Sequence, residues 1–374
     1  MSRRTFFWKL TLFFAPFVAA FALPLAVLVR TWEIAPPRMI AAAHAQAPPE
    51  AVYGAAYGNP DKGYKVAAIA YRKAPLVSVG TSRVMQFRSD FFTGGEATFY
   101  NGGGIVTRLF DYRVLFRRLA DLPGRKFIVG LDQWAFNEGW TDFWPDAGVD
   151  REYAGEFSAL DVIQRSLHVY PDLAAKKLRL SQVFAPSISF GVNGITHGNG
   201  FLRDGSYVYK DMLRERVEDP VFKDDDTMDR IRKLNRRFEP GEHPSVAALA
   251  ELETLASRWE RDGFEVVAFM PPYAPSVLDA MRATGRLGYV FEVGGVVRQI
   301  LERHHVPFID FTSCGELACA DADFIDGFHG GSVLYARMLL ELSRKSAWLA
   351  ELTARESLER RVSAPNVAWE LSAP

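Results

Sequence analysis

Three residues that lie far apart in the 374-residue chain have the types and spacing needed for nucleophilic catalysis. Ser82 closely follows a short apolar run at residues 76–79 that is rich in β-branched side chains, where a strand would end and a helix could begin. Asp326 and His329 are three residues apart, so one turn could offer the serine an imidazole together with the carboxylate that orients it. A lone serine at a strand end is usually structural, so this interpretation depends on the two partners. The sequence therefore predicts a catalytic triad of Ser82, His329 and Asp326.

The elements that must position these residues alternate between strands and helices over residues 71–345, which predicts an α/β domain. Five strands are expected, at residues 76–79, 97–100, 126–131, 265–270 and 307–311. Right-handed crossovers would give a five-stranded parallel sheet in flavodoxin-like order, covered by helices on both faces as a three-layer α/β/α arrangement. Ligands bind at the carboxyl edge of such a sheet, which is where Ser82 is expected.

The two ends of the predicted triad resemble the SGNH (GDSL-like) hydrolase superfamily, and within it the membrane-anchored branch that modifies bacterial surface polymers. Residues 80–83, GTSR, are similar to the nucleophile block of that superfamily, with Thr81 in the place usually held by Asp. Residues 326–329, DGFH, are similar to its closing D-x-x-H block. The resemblance covers residues 76–344 in outline and is sharp only at these two blocks. It implies an SGNH hydrolase-like fold and acyl chemistry at the serine.

The residues expected to stabilise an oxyanion follow the second and third strands. Gly102 and Gly103 belong to an Asn-Gly-Gly-Gly segment whose N–H groups a ligand could approach closely, although a flexible turn is the alternative. The resemblance implies three donors: the N–H of Ser82, the N–H of Gly103 or a neighbour, and a side chain after the third strand. The usual G-x-N-D block is missing there, so Gln133 or Asn137 is expected to supply the third donor.

A long insertion at residues 138–244 interrupts the alternation and predicts a cap over the carboxyl edge of the sheet. Helical pieces are expected at residues 159–169 and 171–180, and a charged segment near residues 219–237. The candidate substrate-binding residues, in this insertion and at the strand ends, are Arg83, Asp132, His197, Arg203, Asp204 and Tyr273. For Asp132 the alternative is a brace for the nucleophile loop, and for the three insertion residues it is ordinary turn chemistry.

The N-terminal segment predicts a membrane anchor. No residue from 10 to 29 is charged, and about 20 helical residues span a hydrocarbon core of roughly 30 Å. Arg3, Arg4 and Lys9 precede this stretch, so the N-terminus is expected in the cytoplasm and the main domain outside the inner membrane, in the periplasm of a cell with two membranes. The alternative is a cleaved signal peptide, because Ala43-His44-Ala45 has the form of a cleavage site.

The predicted boundaries follow from this reading. Residues 1–9 are assigned to the cytoplasm, 10–30 to a transmembrane helix, and 31–70 to a linker because they are rich in Ala, Pro and Gly. The hydrolase-like domain is expected at residues 71–345. Residues 346–374 are predicted to be a partly helical, then loose, C-terminal tail.

Composition and cysteine usage limit the partners. A net charge of −1 and the lack of a basic stripe argue against nucleic acid. Cys314 and Cys319 are close enough to pair across a short loop, and an oxidising compartment favours a disulfide over the alternative of two buried thiols. Two cysteines without a partner cluster are too few for a metal site, so neither a metal nor another cofactor is expected.

The predicted chemistry is acyl transfer through a Ser-His-Asp mechanism. Water as the second nucleophile would make the protein an esterase, and a sugar hydroxyl would make it an O-acyltransferase. The resemblance implies action on acyl groups, O-acetyl above all, of an exported cell-surface polysaccharide, as in alginate O-acetylation and teichoic-acid D-alanylation. It also implies an acyl donor, a polysaccharide acceptor and a multi-spanning membrane acyltransferase as partners. Two alternatives stay open: a membrane-tethered hydrolase of small esters, and a non-catalytic assembly or binding protein with this fold.

Overall fold

A parallel sheet of five strands lies at the centre of the protein. The computed structural model describes residues 3–58, 61–122, 125–141, 146–211 and 224–364. The strands there are, in chain order, β1 (Leu76–Gly80), β2 (Phe99–Gly103), β3 (Lys126–Gly130), β4 (Gly200–Phe201), β5 (Tyr207–Val208), β6 (Glu265–Met270) and β7 (Phe308–Asp310). The central sheet has the order β2-β1-β3-β6-β7 with every neighbouring pair parallel, and β4 and β5 form a separate antiparallel hairpin. The predicted α/β class and the five-stranded parallel sheet in flavodoxin-like order are confirmed.

Helices cover both faces of this sheet. The α-helices of the described ranges, including those that do not contact the sheet, are α1 (Arg3–Arg30), α2 (Pro37–Gln46), α3 (Asp61–Arg72), α4 (Asp111–Arg118), α5 (Asp146–Ala154), α6 (Ala159–Ala174), α7 (Leu180–Val183), α8 (Val192–Thr196), α9 (Asp225–Lys233), α10 (Val246–Arg261), α11 (Pro275–Thr284), α12 (Gly288–Arg303), α13 (Ser332–Ser343), α14 (Ala347–Leu352) and α15 (Arg355–Ser363).

The strand sequences explain the three layers. Successive side chains of a strand point to opposite faces. Val77 and Val79 of β1 lie in one hydrophobic cluster with residues of α3, α4 and α10, whereas Leu76 lies in a second cluster with residues of α11 and α13. A parallel strand buried on both faces needs apolar residues at nearly every position, as the LVSVG run of β1 shows.

The prediction of a linker at residues 31–70 is wrong. Helices α2 and α3 lie within or overlap this stretch, and they pack on each other and on the body of the protein. Tyr53, Tyr64 and Ile69 are buried in the same cluster as β1. The ring of His44 lies 2.6 Å from the Tyr64 hydroxyl and 3.0 Å from the Ala51 carbonyl, which fixes α2 against α3. Alanine favours helices and allows close packing, so an Ala-rich composition did not imply an extended linker.

Helix α1 differs in part from the predicted transmembrane helix at residues 10–30. Among the helices that the structure describes, none is by itself both long and apolar enough to span a membrane; the halves Arg3–Pro16 and Ala20–Arg30, bent by 58°, meet that criterion only as a pair. Prolines inside α1 account for such a bend. Val27 and Leu28 are fully buried among protein side chains, so one side of the last turns of the predicted span packs on the body of the protein.

The insertion is only partly the predicted cap. The first predicted helical piece and the first four residues of the second form one helix, α6, which ends at Ala174. Ser158 and Asp161 begin it with a capping box, and Pro171 lies in its last turn. A proline removes one backbone hydrogen bond, which costs less near a helix end than at its centre. Helix α6 packs along α1 and not over the sheet edge. Residues 212–223, which include the start of the predicted charged segment, lie outside the described residues.

The segments near the C-terminus support the site. Cys314 and Cys319 form the predicted disulfide, with their Cα atoms 5.7 Å apart. Helices α14 and α15 confirm a helical start to the predicted tail, and they bury Leu349 and Leu358 against the body. Residues 365–374, predicted to be loose, lie outside the described residues.

Candidate active site

Ser82 lies at the carboxyl end of β1, where the chain turns sharply. The strand ends at Gly80, and Ser82 begins a 3-10 turn whose cap is Thr81, which accepts a hydrogen bond from the Arg83 N–H at 3.2 Å. A Cβ atom at Gly80 would lie 2.4 Å from a methyl group of Val84, so only glycine lets the turn fold back this closely. The serine is half-buried at the edge where ligands of such sheets bind.

His329 and Asp326 lie in the loop before α13 and reach the same edge. Ser82 Oγ is 2.8 Å from His329 Nε2, and His329 Nδ1 is 2.7 Å from Asp326 Oδ2. The other carboxylate oxygen, Oδ1, accepts the N–H groups of His329 at 2.9 Å and Phe328 at 3.3 Å. The loop closes on itself because the Ile325 N–H donates to the His329 carbonyl at 2.8 Å. The structure thus brings the three predicted triad residues together.

The electrostatics of this loop keep Asp326 ionised. Burial alone would raise the pKa of Asp326, but the His329 ring and the two backbone N–H groups outweigh burial and lower the pKa to about 2. An ionised carboxylate next to Nδ1 holds a proton on that nitrogen, which leaves Nε2 with a lone pair facing the Ser82 hydroxyl. The arrangement can therefore remove the proton of Ser82 as the oxygen attacks an electrophile.

Arg83 is not placed to bind substrate, contrary to the sequence prediction. Its side chain is 0% exposed and points into the protein beneath Ser82. Its Nε donates to the Phe328 carbonyl at 3.0 Å, and Nη1 donates to Asp132 at 3.1 Å. Nη2 donates to the carbonyls of Pro271 at 3.0 Å and Pro272 at 2.6 Å. The guanidinium thus connects the loops after β1, β3 and β6 with the loop that carries His329.

Three further predicted contacts belong to this buried network. Asp132 pairs with Arg83 with both side chains fully buried, so it is the brace and not a substrate contact; burial raises the pKa of Asp132, and the guanidinium opposes that rise. Gln133 accepts from Arg83 at 2.8 Å and donates to the Pro271 carbonyl and the Thr312 hydroxyl. Tyr273 is buried with its ring 4.3 Å from the Arg83 guanidinium, where it packs against the charge.

The predicted oxyanion donors are mostly engaged elsewhere. The Gly103 N–H donates to the buried Asn101 side chain at 2.7 Å, and Gly102 lies inside β2, paired with β1. Asn137 donates to the carbonyls of Glu239 and Pro240, and Gln133 is engaged as described. These four predictions are not supported by the geometry, because a donor already bonded inside the protein is not available to an oxyanion. The Ser82 N–H, in contrast, has no acceptor among the residues that the structure describes.

The insertion residues chosen from the sequence have other partners. His197 pairs with Asp211 at 3.1 Å and lines a surface cleft together with Lys210. Arg203 pairs with Glu96 at 2.8 Å and donates to the Ala47 carbonyl. Asp204 is buried and accepts from the Ser89 N–H and from the Ser206 N–H and hydroxyl. The alternative of turn chemistry is therefore correct for Asp204, and neither His197 nor Arg203 contacts the triad.

The sequence analysis missed Tyr209, which lies beside the triad, and Arg237, whose charge acts on Tyr209. The ring of Tyr209, just after β5, is 6.0 Å from the His329 ring, and burial next to Tyr207 and Asp326 raises its pKa well above the ordinary value. Arg237, after α9, lies 4.8 Å from the Trp134 ring, and its charge acts on Tyr209. The alternation of Tyr207 and Tyr209 is the only local sequence signal for Tyr209. No sequence signal points to Arg237.

Arg237 is unlike the buried Arg83. Its backbone has a φ of 86°, in the left-handed region that non-glycine residues avoid, and the Glu239 carboxylate accepts its N–H at 3.1 Å. Burial lowers the pKa of its guanidinium. Within the described part of the chain, that guanidinium has neither a hydrogen-bond acceptor nor a carboxylate at salt-bridge distance. A partly desolvated cation without an acceptor is able to bind an anionic or strongly polar group.

Fold and site together define an α/β protein with a Ser-His-Asp relay at the carboxyl edge of a parallel sheet. Among the described residues, no group of His, Cys, Asp and Glu side chains is arranged to hold a metal ion. Compared with known proteins, the chain matches no family model, and no curated protein is significantly similar to it.

Proposed function

We propose that this protein is a serine acyl-transfer enzyme. The observation that carries the proposal is the relay from Ser82 Oγ to His329 Nε2 at 2.8 Å and from His329 Nδ1 to Asp326 at 2.7 Å. A nucleophile, a base and an orienting carboxylate at hydrogen-bond distances are what a serine enzyme needs, and here the fold brings together a serine and a histidine that are 247 positions apart.

The mechanism follows from these atoms. His329 Nε2 takes the proton of Ser82 as Oγ attacks the acyl carbonyl, and Asp326 stabilises the imidazolium that forms. The Ser82 N–H stabilises the oxyanion, a contribution of about 3–4 kcal/mol per donor in comparable sites. The C–O bond to the leaving alcohol then breaks, the alcohol takes the proton from His329, and an acyl-serine remains. Water or a sugar hydroxyl, deprotonated by His329, attacks the acyl-serine and regenerates the free enzyme.

The substrate class is proposed from the chain's resemblance to membrane-anchored SGNH hydrolase-like proteins. The apolar α1, bent but long, suits attachment to the inner membrane, and the disulfide suits an extracytoplasmic, periplasmic domain. We infer an O-acyltransferase or esterase that acts on acyl groups, O-acetyl in particular, of an exported polysaccharide. A multi-spanning acyltransferase that supplies the acyl donor is the partner that this resemblance implies.

Arg237 adds a feature of the substrate. An unpaired, partly desolvated guanidinium beside Tyr209 and Trp134 suits a carboxylate or another anionic group near the scissile ester. The proposed substrate is therefore an ester whose acceptor sugar or acyl chain carries a negative charge.

A second candidate function is a non-catalytic assembly protein, and one observation favours it. The N–H donors of Gly103, Gln133 and Asn137 all bond to acceptors inside the protein. Of the predicted donors, this leaves the Ser82 N–H to stabilise an oxyanion. An enzyme with one donor would be slow.

One experiment on the full-length protein in detergent distinguishes the two functions. The protein is treated with a fluorophosphonate probe and compared with Ser82→Ala, His329→Ala and the control Ser313→Ala, whose serine is exposed in a nearby loop. Acyl transfer predicts labelling of the natural protein and of the control and none of the two triad variants. Absence of labelling in a protein with normal circular dichroism would instead support the assembly function.

A further inference from the structure

The outer face of α6 carries an apolar stripe. Leu160, Ile163, Leu167 and Tyr170 recur at the three- and four-residue spacing of one helix face and are between 43% and 61% exposed. The opposite face buries Val169 against the body. None of these four exposed residues is charged. A soluble helix normally places charges on its outer face, so this stripe is suited to an apolar environment.

Helix α6 is joined to the outer half of α1. The Tyr170 hydroxyl donates to the Ala20 carbonyl at 2.7 Å, and the Arg165 guanidinium donates to the Glu33 carbonyl, so the two helices run antiparallel. Val169 lies in one hydrophobic cluster with Val27 and Leu28. The inner half of α1, Arg3–Pro16, leaves this contact and exposes most of its large apolar side chains.

Length and bend determine where α6 lies relative to a bilayer. From Arg4 to Ala20 a helix rises about 24 Å, less than the roughly 30 Å of a hydrocarbon core. The inner half of α1 is therefore too short to cross the core alone. When α1 is inserted in a membrane, the residues at and beyond Ala20, and Tyr170 beside them, must lie at the outer boundary of the bilayer. If the inner half stands upright, the 58° bend leaves the outer half about 30° from the membrane plane. Helix α6 then lies along the surface with its stripe accessible to lipid.

The charges next to the stripe fit a lipid surface. Lys176, Lys177 and Arg179 are exposed immediately after α6, and the exposed Phe184 and Ile188 follow. Basic residues at the border of an apolar face are typical of helices that lie in the interface and attract anionic headgroups. The Arg30 guanidinium donates to the Ala185 carbonyl at 2.6 Å, which holds this segment next to α1.

We propose that α6 and the outer half of α1 form one interfacial platform that lies on an anionic bilayer and holds the domain close to the membrane. The apolar stripe of α6 is covered by the lipid bilayer. The proposal rests on the membrane attachment proposed for α1 and is independent of the acyl chemistry.

The test measures probe depth in full-length protein reconstituted into vesicles of phosphatidylethanolamine and phosphatidylglycerol. An environment-sensitive fluorophore is attached to Leu167→Cys, and the native cysteines do not compete because they form a disulfide. Phe7→Cys in the inner half of α1 reports insertion, and Val246→Cys, 81% exposed at the start of α10, is the matched control for an apolar residue on another surface. Quenching by spin-labelled lipid and the emission maximum are read for each site.

We expect the Leu167 probe to be quenched to an extent close to that of the Phe7 probe, with a blue-shifted emission, and the Val246 probe to be unaffected. Quenching at Phe7 with Leu167 no more affected than Val246 would overturn the platform and leave the stripe for a protein partner. No quenching at Phe7 would overturn the membrane attachment on which the platform rests. Fluorophosphonate labelling of the same three variants reports the chemistry separately, because these exposed residues lie outside the triad.

Discussion

Replacing Arg83 with methionine tests whether this residue holds the active site together from below. The guanidinium donates to five acceptors: one carboxylate, one amide oxygen and three backbone carbonyls. Methionine fills a similar volume and offers no donor. Asp132 would then be a buried carboxylate without its cation, and the Phe328 carbonyl would lose its contact with the nucleophile loop.

The expected magnitude follows from those contacts. Removing one partner of a fully buried ion pair costs about 3–5 kcal/mol, and each buried carbonyl that loses its donor adds about 1–3 kcal/mol where water cannot replace it. These losses are not additive, so we expect Arg83→Met to lower the free energy of unfolding by at least about 4 kcal/mol. Asp132→Asn keeps an acceptor for Arg83 and should cost less, and the double variant should cost about 1–3 kcal/mol less than the sum of the two.

The assay is urea unfolding followed by tryptophan fluorescence, with Arg203→Met as the matched control. Arg203 also pairs with a carboxylate and a backbone carbonyl, but its side chain is 23% exposed, so its removal should cost about 1 kcal/mol. Arg83→Lys keeps the charge without the planar fork, and it should slow fluorophosphonate labelling of Ser82 even where the protein stays folded. A loss for Arg83→Met no larger than that for Arg203→Met, with normal labelling, would refute this reasoning.

Three further predictions concern the triad and the substrate side. Asp326→Asn should lower the labelling rate of Ser82 by about four orders of magnitude, because the amide favours the wrong imidazole tautomer, while Asp323→Asn, on a carboxylate that binds the Ala320 N–H instead, should leave the rate nearly unchanged. The pKa of Asp326 in the folded protein, about 2, lies below its ordinary value of 3.8. The ionised carboxylate therefore contributes about 2 kcal/mol to the free energy of unfolding above pH 4, and this contribution is lost as the pH falls through 2. Urea unfolding curves of the wild type and Asp326→Asn should converge in strong acid. Arg237→Gln should raise the KM of an anionic ester about tenfold or more relative to a neutral ester of the same alcohol, because a charge-assisted contact of about 1.5–3 kcal/mol is lost; an equal change for both esters would show that the guanidinium does not bind the anionic group.

The sheet and the triad could be predicted because their signals are local. The run before Ser82 and the three-residue spacing of Asp326 and His329 each fit within one turn, and the order of strands follows from alternation and handedness. The disulfide is equally local, since Cys314 and Cys319 are five residues apart.

The errors arose where contacts are long-range or where composition was ambiguous. The sequence predicts Arg83 as a substrate-binding residue, yet the acceptors of its side chain are up to 245 residues away, and no local pattern reveals that the chain buries it. The capture of the Gly103 N–H by Asn101 depends on a side-chain rotamer that the Asn-Gly-Gly-Gly pattern does not specify. Alanine-rich residues before β1 suit both a linker and packed helices, and only their burial distinguishes the two.

Residues that position the candidate site have their polar groups hydrogen-bonded within the protein, whereas residues that could contact a substrate have polar groups without a partner among the described residues. Arg83 and Gln133 make their bonds within the protein, so they can position but not bind. The Ser82 N–H and the Arg237 guanidinium have no acceptor in the described part of the chain, and His329 Nε2 faces only the nucleophile. A polar group that stays unpaired in a partly desolvated position costs free energy until a ligand pairs with it. For the substrate class proposed above, an ester with a polarised carbonyl and a negative charge, binding at this edge of the sheet would recover that cost.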